Sequence, residues 1–178
     1  MLHRTLRRNT IIELVLKIGS LQFDFPVVQA ALSGYSDAPM RLIARRLGAT
    51  YALHEVVLDK SIVQSPKARR TLLPPPSAED HPIGGQLMGA EPQMFAEAAA
   101  IMAEHGYDVV DINFGCPVKK VLGRCRGGFL LSEPATAIEI LRAVRPSSRR
   151  RPSTSPWAAG ARTATLRTTR PGAPRGAS

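Results

Sequence analysis

The sequence predicts an α/β fold, in which helices alternate with a parallel sheet, as in about the first half of a (β/α)8 TIM barrel. Four apolar runs of strand length occur between residues 27 and 113, and segments with helical periodicity or capping signals separate or follow them. Such alternation produces right-handed βαβ units around a parallel sheet. These units occupy about 120 residues, whereas a whole barrel typically needs about 250 residues. An open doubly wound sheet is the alternative, because periodicity alone does not separate the two architectures.

The first two predicted strands flank a capped helix. Residues 27–32 form the first apolar run, and residues 33–36 form a turn. Asp37 can cap a helix that continues to Leu47, and Gly48 is suited to end it. Residues 50–57 predict a second strand and residues 57–63 a short helix. We expect residues 65–81 to form a polar, proline-rich connection.

The helix with the strongest pattern follows a third strand at residues 82–88. It covers residues 91–104, where Pro92 lies near the start, apolar side chains share one face and Gly106 marks the end. Residues 108–113 predict the fourth strand. A basic, glycine-containing loop at 123–128 and an amphipathic helix at 134–144 complete the patterned part of the chain.

The composition is typical of a water-soluble globular domain. The chain has 178 residues, 44% of them apolar, and contains no run of 18 apolar residues, so we expect no membrane span. Glu13 interrupts the apolar residues after the basic N-terminus, which argues against a signal peptide. Cys116 and Cys125 are too few for a disulfide framework, which favours a reducing, cytoplasmic setting. We expect no metal site, and the oligomeric state stays open.

The net charge of +10 arises mostly from the C-terminal tail. Residues 147–178 contain seven arginines and no acidic residue, and the rest of the chain has 17 basic and 14 acidic residues. The tail is rich in Arg, Pro and Ser, a composition that buries too little apolar surface to offset the entropy of ordering. We therefore predict a folded domain at 1–146 and a disordered basic tail at 147–178. An RNA-binding arm is the functional alternative for this tail.

The most informative stretch is Asp-Ile-Asn-Phe-Gly-Cys-Pro-Val-Lys-Lys-Val at residues 111–121. It begins as a buried strand and ends in a polar turn that carries Asn113, Cys116, Lys119 and Lys120. Active sites of α/β barrels lie where strands end in such loops. A buried structural thiol and a solvated basic loop are the alternatives that residue type alone leaves open.

Three motifs together resemble the tRNA-dihydrouridine synthase family. The first is Ala-Ala-Leu-Ser-Gly-Tyr-Ser-Asp-Ala-Pro-Met-Arg at 30–41, the second is Gly-Gln-Leu-Met-Gly at 85–89, and the third is the 111–121 stretch with Gly-Gly-Phe-Leu-Leu at 127–131. The resemblance covers roughly residues 18–146. It implies a barrel with flavin mononucleotide (FMN) at its carboxyl-terminal mouth, NADPH as the reductant and a uracil base of tRNA as the substrate.

The resemblance assigns roles to individual residues. Cys116 matches the cysteine that protonates C5 of the uracil ring, and a free thiol with a pKa of about 8.5 can serve as a general acid. Asn113 matches a residue that holds the uracil ring, and Gln86 matches a glutamine that bonds the flavin. Lys119 and Lys120 are expected to face RNA phosphate. In the family, the segment that lies along the flavin usually reads Pro-Met-Ala. The aligned residues in this sequence are Ala31, Leu32 and Ser33. Glu55 matches a recurrent glutamate with a supporting role, whereas Cys125, His54 and His81 match no motif.

The family pattern stops after Val144. A fifth strand with a flavin-contacting lysine, later phosphate-binding loops and a C-terminal RNA-binding domain are expected there and do not follow in this sequence. A frameshift is one explanation, because neighbouring reading frames of the tail can encode strand-like sequence. The resemblance therefore implies a truncated enzyme, and whether this chain alone is active stays open. The rival functions are another flavin barrel, similar to dihydropyrimidine or dihydroorotate dehydrogenases, and a non-catalytic basic RNA-associated fragment.

Overall fold

The structure begins with a short antiparallel hairpin that the sequence analysis did not predict. A computed structural model describes residues 16–147, and its first strands are β1 (Leu16–Ile18) and β2 (Leu21–Phe23). Leu16 pairs with Phe23, and Gly19 takes a positive φ of 62° in the turn between the strands. Strands of three residues are too short to show an alternating pattern, which is why the hairpin was missed.

Four parallel strands form the main sheet. They are β3 (Val28–Gln29), β4 (Tyr51–Leu58), β5 (Ile83–Met88) and β6 (Val109–Ile112), and they lie in the order β3-β4-β5-β6. The α/β prediction with a parallel sheet is therefore confirmed. Spatial order follows sequence order, as in a (β/α)8 barrel, whereas a doubly wound sheet reverses direction at a switch point. Within residues 16–147 the sheet is open, so a closed barrel stays a prediction.

Helices follow the strands much as the sequence predicts. They are α1 (Ala38–Arg46), α2 (Asp59–Gln64), α3 (Pro66–Leu72), α4 (Pro92–Glu104), α5 (Lys119–Leu122) and α6 (Pro134–Ser147), with 3-10 turns at Ala78–Asp80 and Gly127–Leu131. The Asp37 side chain caps α1 by accepting from the Met40 N–H at 3.0 Å, and Gly48 follows its end with a φ of 100°. Both end signals of this helix are confirmed.

The predicted polar, proline-rich connection at 65–81 begins with a helix that the sequence analysis did not predict. Helix α3 starts there, because Ser65 accepts a hydrogen bond from the Ala68 N–H at 3.1 Å and Pro66 occupies the first turn. The polar composition and the Pro-Pro-Pro run at 74–76 concealed this cap. None of the side chains of α3 is buried, but Leu73 immediately after it is fully buried.

The sheet separates two apolar clusters. The larger lies between the sheet and the helices and includes Ile62, Leu87, Phe95, Met102 and Ile140. On the opposite face, Phe23 of the hairpin packs with the smaller cluster of Tyr51, Leu53 and Val109. A Cβ at Gly84 would lie 2.3 Å from Tyr51 Oη, so glycine is needed for this close approach. The second face is the one that would line a barrel interior.

A buried ion pair joins α1 to the turn before β5. Arg41 and Asp80 are each 2% exposed, and the Arg41 guanidinium donates to both carboxylate oxygens of Asp80 and to the Ser36 carbonyl. His81 Nδ1 lies 2.6 Å from Asp108 Oδ2 at the start of β6. Arg41 ends the first family-like motif, and its bonds join this motif to the segment before β5.

Residues 1–15 and 148–178 lie outside the described part of the chain, and with them most of the predicted basic tail. Between residues 16 and 147, no helix has the length and apolar character that a membrane crossing requires.

Candidate active site

The pleat of the sheet brings three polar side chains to one edge. Gln86 of β5 lies in register with Asp111 of β6, and Asn113 follows two positions later. Alternate residues of a strand share a face, so these side chains lie on the same face as Gly84 and Val109, opposite the helices. They also lie towards the carboxyl ends of their strands, where parallel α/β proteins bind ligands.

A chain of hydrogen bonds links these side chains to Cys116. Gln86 Nε2 donates to Asp111 Oδ2 at 2.7 Å, and Asn113 Nδ2 donates to Gln86 Oε1 at 3.0 Å. Asn113 Oδ1 then accepts from the backbone N–H groups of Gly115, at 3.1 Å, and Cys116, at 3.0 Å. This series of hydrogen bonds therefore fixes the backbone of the cysteine relative to the sheet.

The carboxylate of Asp111 sets the direction of this chain. An ionised carboxylate only accepts hydrogen bonds, so the Gln86 amide must turn its nitrogen towards it. The Gln86 oxygen then faces Asn113, whose oxygen in turn faces the two backbone donors. Gln86 and Asn113 each keep one N–H outside these bonds, and Gln86 keeps one acceptor position. Asp111 was given no role from the sequence, although its alternation with Val109 and Asn113 was the available signal.

Cys116 is half-buried in the loop between β6 and α5. The segment that follows α5 packs against this loop, because the Gly128 N–H donates to the Cys116 carbonyl at 3.0 Å. Gly127 has a φ of 57°, and a Cβ there would lie 2.9 Å from the Cβ and from the carbonyl oxygen of Cys116. Gly127 and Gly128 therefore pack directly against the cysteine, a function that the sequence analysis did not assign to them.

The two lysines that follow the cysteine loop are open to solvent. Lys119 and Lys120 form the first turn of α5 and are both exposed. Cys125 is also exposed and has a φ of 55°, and no described contact joins its side chain to the hydrogen-bonded chain at Cys116. The structure thus distinguishes the two thiols by their surroundings.

The turn after β3 holds the segment 31–33 at the same edge of the sheet. The Leu32 N–H donates to Ser36 Oγ at 2.6 Å, and the Leu32 carbonyl accepts from the N–H groups of Tyr35 and Ser36. The Leu32 side chain is 51% exposed. Ala31 packs against the smaller apolar cluster, and Ser33 is exposed.

Glu55 supports this turn from the neighbouring strand. It lies at an irregularity of β4, between Leu53 and Val56, and its Oε2 accepts from the Gly34 N–H at 3.0 Å. Gly34 has a φ of 79°, which glycine adopts without strain. Glu55 therefore contacts this turn directly, whereas the supporting role that the resemblance implies stays a prediction.

Asp59 introduces a buried carboxylate at the carboxyl end of β4. Burial raises its pKa, and the hydrogen bond from the Lys60 N–H and the charges of Arg126 and Lys60 oppose that rise. Neither Asp59 nor Arg126 was singled out from the sequence. Within residues 16–147, no group of three or more His, Cys, Asp or Glu side chains is arranged to hold a metal ion.

Comparison with known proteins shows which family and which curated proteins the chain resembles. Residues 28–162 match the family model described as "Dihydrouridine synthase (Dus)". The chain is 39% identical over 131 residues to tRNA-dihydrouridine synthase B of Pseudomonas aeruginosa, covering 73% of this chain and 39% of that protein. It is 38% identical over 118 residues to a probable tRNA-dihydrouridine synthase of Rhizobium leguminosarum, covering 66% and 37%. The chain thus spans about two fifths of the length of these curated relatives.

Proposed function

Since the chain belongs to the dihydrouridine synthase family, we propose that it supplies the part of a tRNA-dihydrouridine synthase that presents a thiol acid to a uracil ring beside a flavin. The hydrogen-bond chain from Asp111 through Gln86 and Asn113 to the Cys116 backbone carries this proposal. The reaction needs the flavin, the uracil ring and the proton donor at fixed relative positions. These hydrogen bonds fix the position of the residue that would donate the proton. A tRNA substrate makes the cytoplasm the expected compartment.

The residues present suit FMN as the cofactor. The exposed Leu32 side chain offers an apolar contact for a flat ring, and Ala31 and Ser33 lie on either side of it. Gln86 keeps one donor and one acceptor, which match the mixed polar edge of an isoalloxazine ring. When bound, FMN would supply the hydride that reaches C6 of the uracil, with NADPH as its reductant.

Cys116 would donate the proton that completes the reduction at C5. A thiol is a weak acid, so it can carry a proton to the site and release it in the reaction. Asn113 and Gly128 hold the backbone on both sides of the thiol, at 3.0 Å each. The side chain is thereby oriented without using the sulfur itself as a hydrogen-bond partner, which leaves the S–H to the substrate. The remaining Asn113 N–H is available to a uracil carbonyl.

Lys119 and Lys120 provide the contact to the RNA backbone in this proposal. Both are exposed on the short helix that follows the cysteine loop. Lysine binds phosphate as a point charge, and each neutralised phosphate makes binding more salt-dependent. Their position beside Cys116 in the chain would place a phosphate near the base that receives the proton.

The test is the formation of dihydrouridine by the full 178-residue chain. The purified protein is incubated with unmodified tRNA, FMN and NADPH, and dihydrouridine is measured by mass spectrometry, with the Pseudomonas relative as positive control. We expect any dihydrouridine formed to depend on Cys116, so Cys116→Ala should lower the rate about 100-fold or more, which is typical for loss of a general acid. Cys125→Ala is the matched control and should leave the rate unchanged.

Three outcomes would contradict the proposal. Equal loss in the two cysteine variants would remove the specific role of Cys116. Reduction of free uracil or oxidation of dihydroorotate, without product in tRNA, would favour another flavin barrel. A colourless protein that binds tRNA without forming dihydrouridine would favour a non-catalytic RNA-associated fragment.

A further inference from the structure

A single carboxylate begins the series of hydrogen bonds that ends at Cys116. Gln86 Nε2 donates to Asp111 Oδ2 at 2.7 Å. Asp111 is half-buried, and none of the ion pairs within residues 16–147 includes it, so an amide rather than a cation is its partner on this face. Because a carboxylate has no hydrogen to donate, only one of the two orientations of the Gln86 amide makes this bond.

The orientation of Gln86 determines that of Asn113. With its nitrogen turned to Asp111, Gln86 presents Oε1 to Asn113, and Asn113 Nδ2 donates to it at 3.0 Å. The oxygen of Asn113 is used twice, because it accepts from the backbone N–H groups of Gly115 and Cys116. The reverse orientation of Asn113 would turn its NH2 group towards these two donors. One carboxylate therefore fixes the orientation of both amides.

As a consequence, Asn113 meets a ligand only as a hydrogen-bond donor. An amide oxygen has two acceptor positions, and the backbone occupies both. One of the two N–H groups on Nδ2 stays outside these bonds. Asn113 is half-buried, so part of its side chain is still accessible. A group that binds to this side chain must therefore offer an acceptor.

This polarity distinguishes the two pyrimidine bases of RNA. Uracil has a carbonyl oxygen at position 4 of the ring, an acceptor, where cytosine has an amino group, a donor. The free N–H of Asn113 can donate to the carbonyl, whereas it meets the amino group donor to donor. A site built around such a bond discriminates strongly, because the wrong ligand leaves polar groups of the site unpaired.

We propose that Asp111 is the specificity-determining residue of this site. By fixing the amide orientations of Gln86 and Asn113, it makes Asn113 a donor that binds the 4-carbonyl edge of uracil and rejects the 4-amino edge of cytosine. The same bonds hold the backbone of Cys116, so Asp111 also positions the thiol. This role rests on the proposed function of Cys116 and Asn113 and adds the group that sets their arrangement. Asp111 acts through Gln86 and does not touch the reacting atoms.

Exchange of the carboxylate and the amide tests this role. Asp111→Asn, Gln86→Glu and the double variant are prepared in the full chain with Cys125→Ser, which leaves Cys116 as the single thiol. Asp111→Asn removes the obligatory acceptor, and Gln86→Glu places two carboxylates side by side, so each change alone disrupts the orientation. In the double variant, the new amide at position 111 donates to the new carboxylate at position 86, which still accepts from Asn113.

Two measurements report on the backbone of Cys116. We expect each single variant to raise the rate at which iodoacetamide alkylates Cys116 about fivefold or more, the factor that corresponds to loss of one hydrogen bond, and the double variant to reverse most of this rise. Hydrogen exchange of the Gly115 and Cys116 amides should change in parallel, with the Gly128 amide as internal reference. Glu97→Gln is the matched control, because Glu97 also accepts from a glutamine Nε2, at 2.8 Å, but is exposed on α4.

Selectivity is measured as protection of Cys116 from iodoacetamide by uridine monophosphate or cytidine monophosphate. The uridine nucleotide should protect at about tenfold lower concentration or less. This difference should fall in each single variant and return in the double variant.

Equal protection by the two nucleotides, protection by neither, or a double variant that behaves like the single ones would overturn the assignment. An effect of Glu97→Gln equal to that of Asp111→Asn would do the same. If a single variant does not fold, recovery of folding, reactivity and selectivity in the double variant still decides the question. Alkylation needs neither flavin nor turnover, so absence of dihydrouridine would contradict the proposed function while leaving this result intact.

Discussion

Substitution of Gly127 by alanine tests the close contact between Cys116 and the segment that follows α5. Gly127 combines two demands, a φ of 57° and a virtual Cβ 2.9 Å from Cys116. The chain offers a matched control in Gly48, which has a φ of 100° but nothing within 4 Å of its virtual Cβ. Gly48→Ala therefore carries the backbone cost without the steric one.

The two costs can be estimated separately. An alanine in the left-handed region costs about 1–2 kcal/mol, and both variants bear this cost. Forcing an extra methyl group against packed atoms costs typically about 1–3 kcal/mol, and only Gly127→Ala bears it. We therefore expect Gly127→Ala to lower the free energy of unfolding by about 1–3 kcal/mol more than Gly48→Ala does. The clash involves the Cβ and the carbonyl of the cysteine, so relief of the strain must displace Cys116.

Urea unfolding and thiol alkylation measure the two consequences. Cys125→Ser leaves Cys116 as the single thiol, since the chain has two cysteines. In this background, Gly127→Ala should change the rate at which iodoacetamide alkylates Cys116, and Gly48→Ala should not. Gly115→Ala adds a second control within the loop, because nothing lies within 4 Å of its virtual Cβ and its φ is not positive. Equal stabilities of the Gly127 and Gly48 variants, with unchanged Cys116 reactivity in both, would refute the reasoning.

Two further predictions concern stability. Asp80→Asn removes the partner charge of the buried Arg41 and should lower the free energy of unfolding by about 3–5 kcal/mol. Glu91→Gln, at the exposed pair with Lys60, should lower it by less than about 1 kcal/mol. Similar losses for the two variants in urea titrations would contradict this contrast. Burial lowers the pKa of His54 below its usual value of about 6.5, so the stability that its neutral ring contributes is complete above that pH and is lost as pH falls towards the lower folded value. His54→Gln should therefore flatten the decline in stability between about pH 7 and pH 5, and an unchanged pH profile would exclude this contribution.

Sequence reasoning succeeded where a local signal determines the structure. The cap at Asp37 and the stop at Gly48 place α1, and the strand at 108–113 is recognisable because three β-branched apolar residues lie within four positions. The same holds for α4, whose apolar face and terminal Gly106 agree with the observed end. Each of these signals acts over a few residues, which is the range that a single sequence reveals.

The rest depends on contacts between distant residues. The hairpin β1–β2 is defined by pairing rather than by pattern, and the approach of Asp59 to Gly89 spans 30 positions of the chain. Likewise, Gln86 and Asp111 are both visible as polar strand residues, but only the register of β5 with β6 makes them partners. The candidate site residues could be named from the motif, whereas the groups that orient them required the fold.

The spacing within the motif Asn-x-Gly-Cys follows from this orientation. A side-chain amide oxygen at the end of a strand reaches the N–H groups two and three residues later, and those residues are Gly115 and Cys116. One N–H of the same amide donates to Gln86, so the turn cannot rotate away from the sheet without breaking both sets of bonds. A thiol placed one residue earlier or later would not have its own N–H in the second of these bonds. The position of Cys116 is therefore fixed by its backbone. Its sulfur is left for the proposed chemistry, and Gly127 and Gly128 pack against its carbonyl.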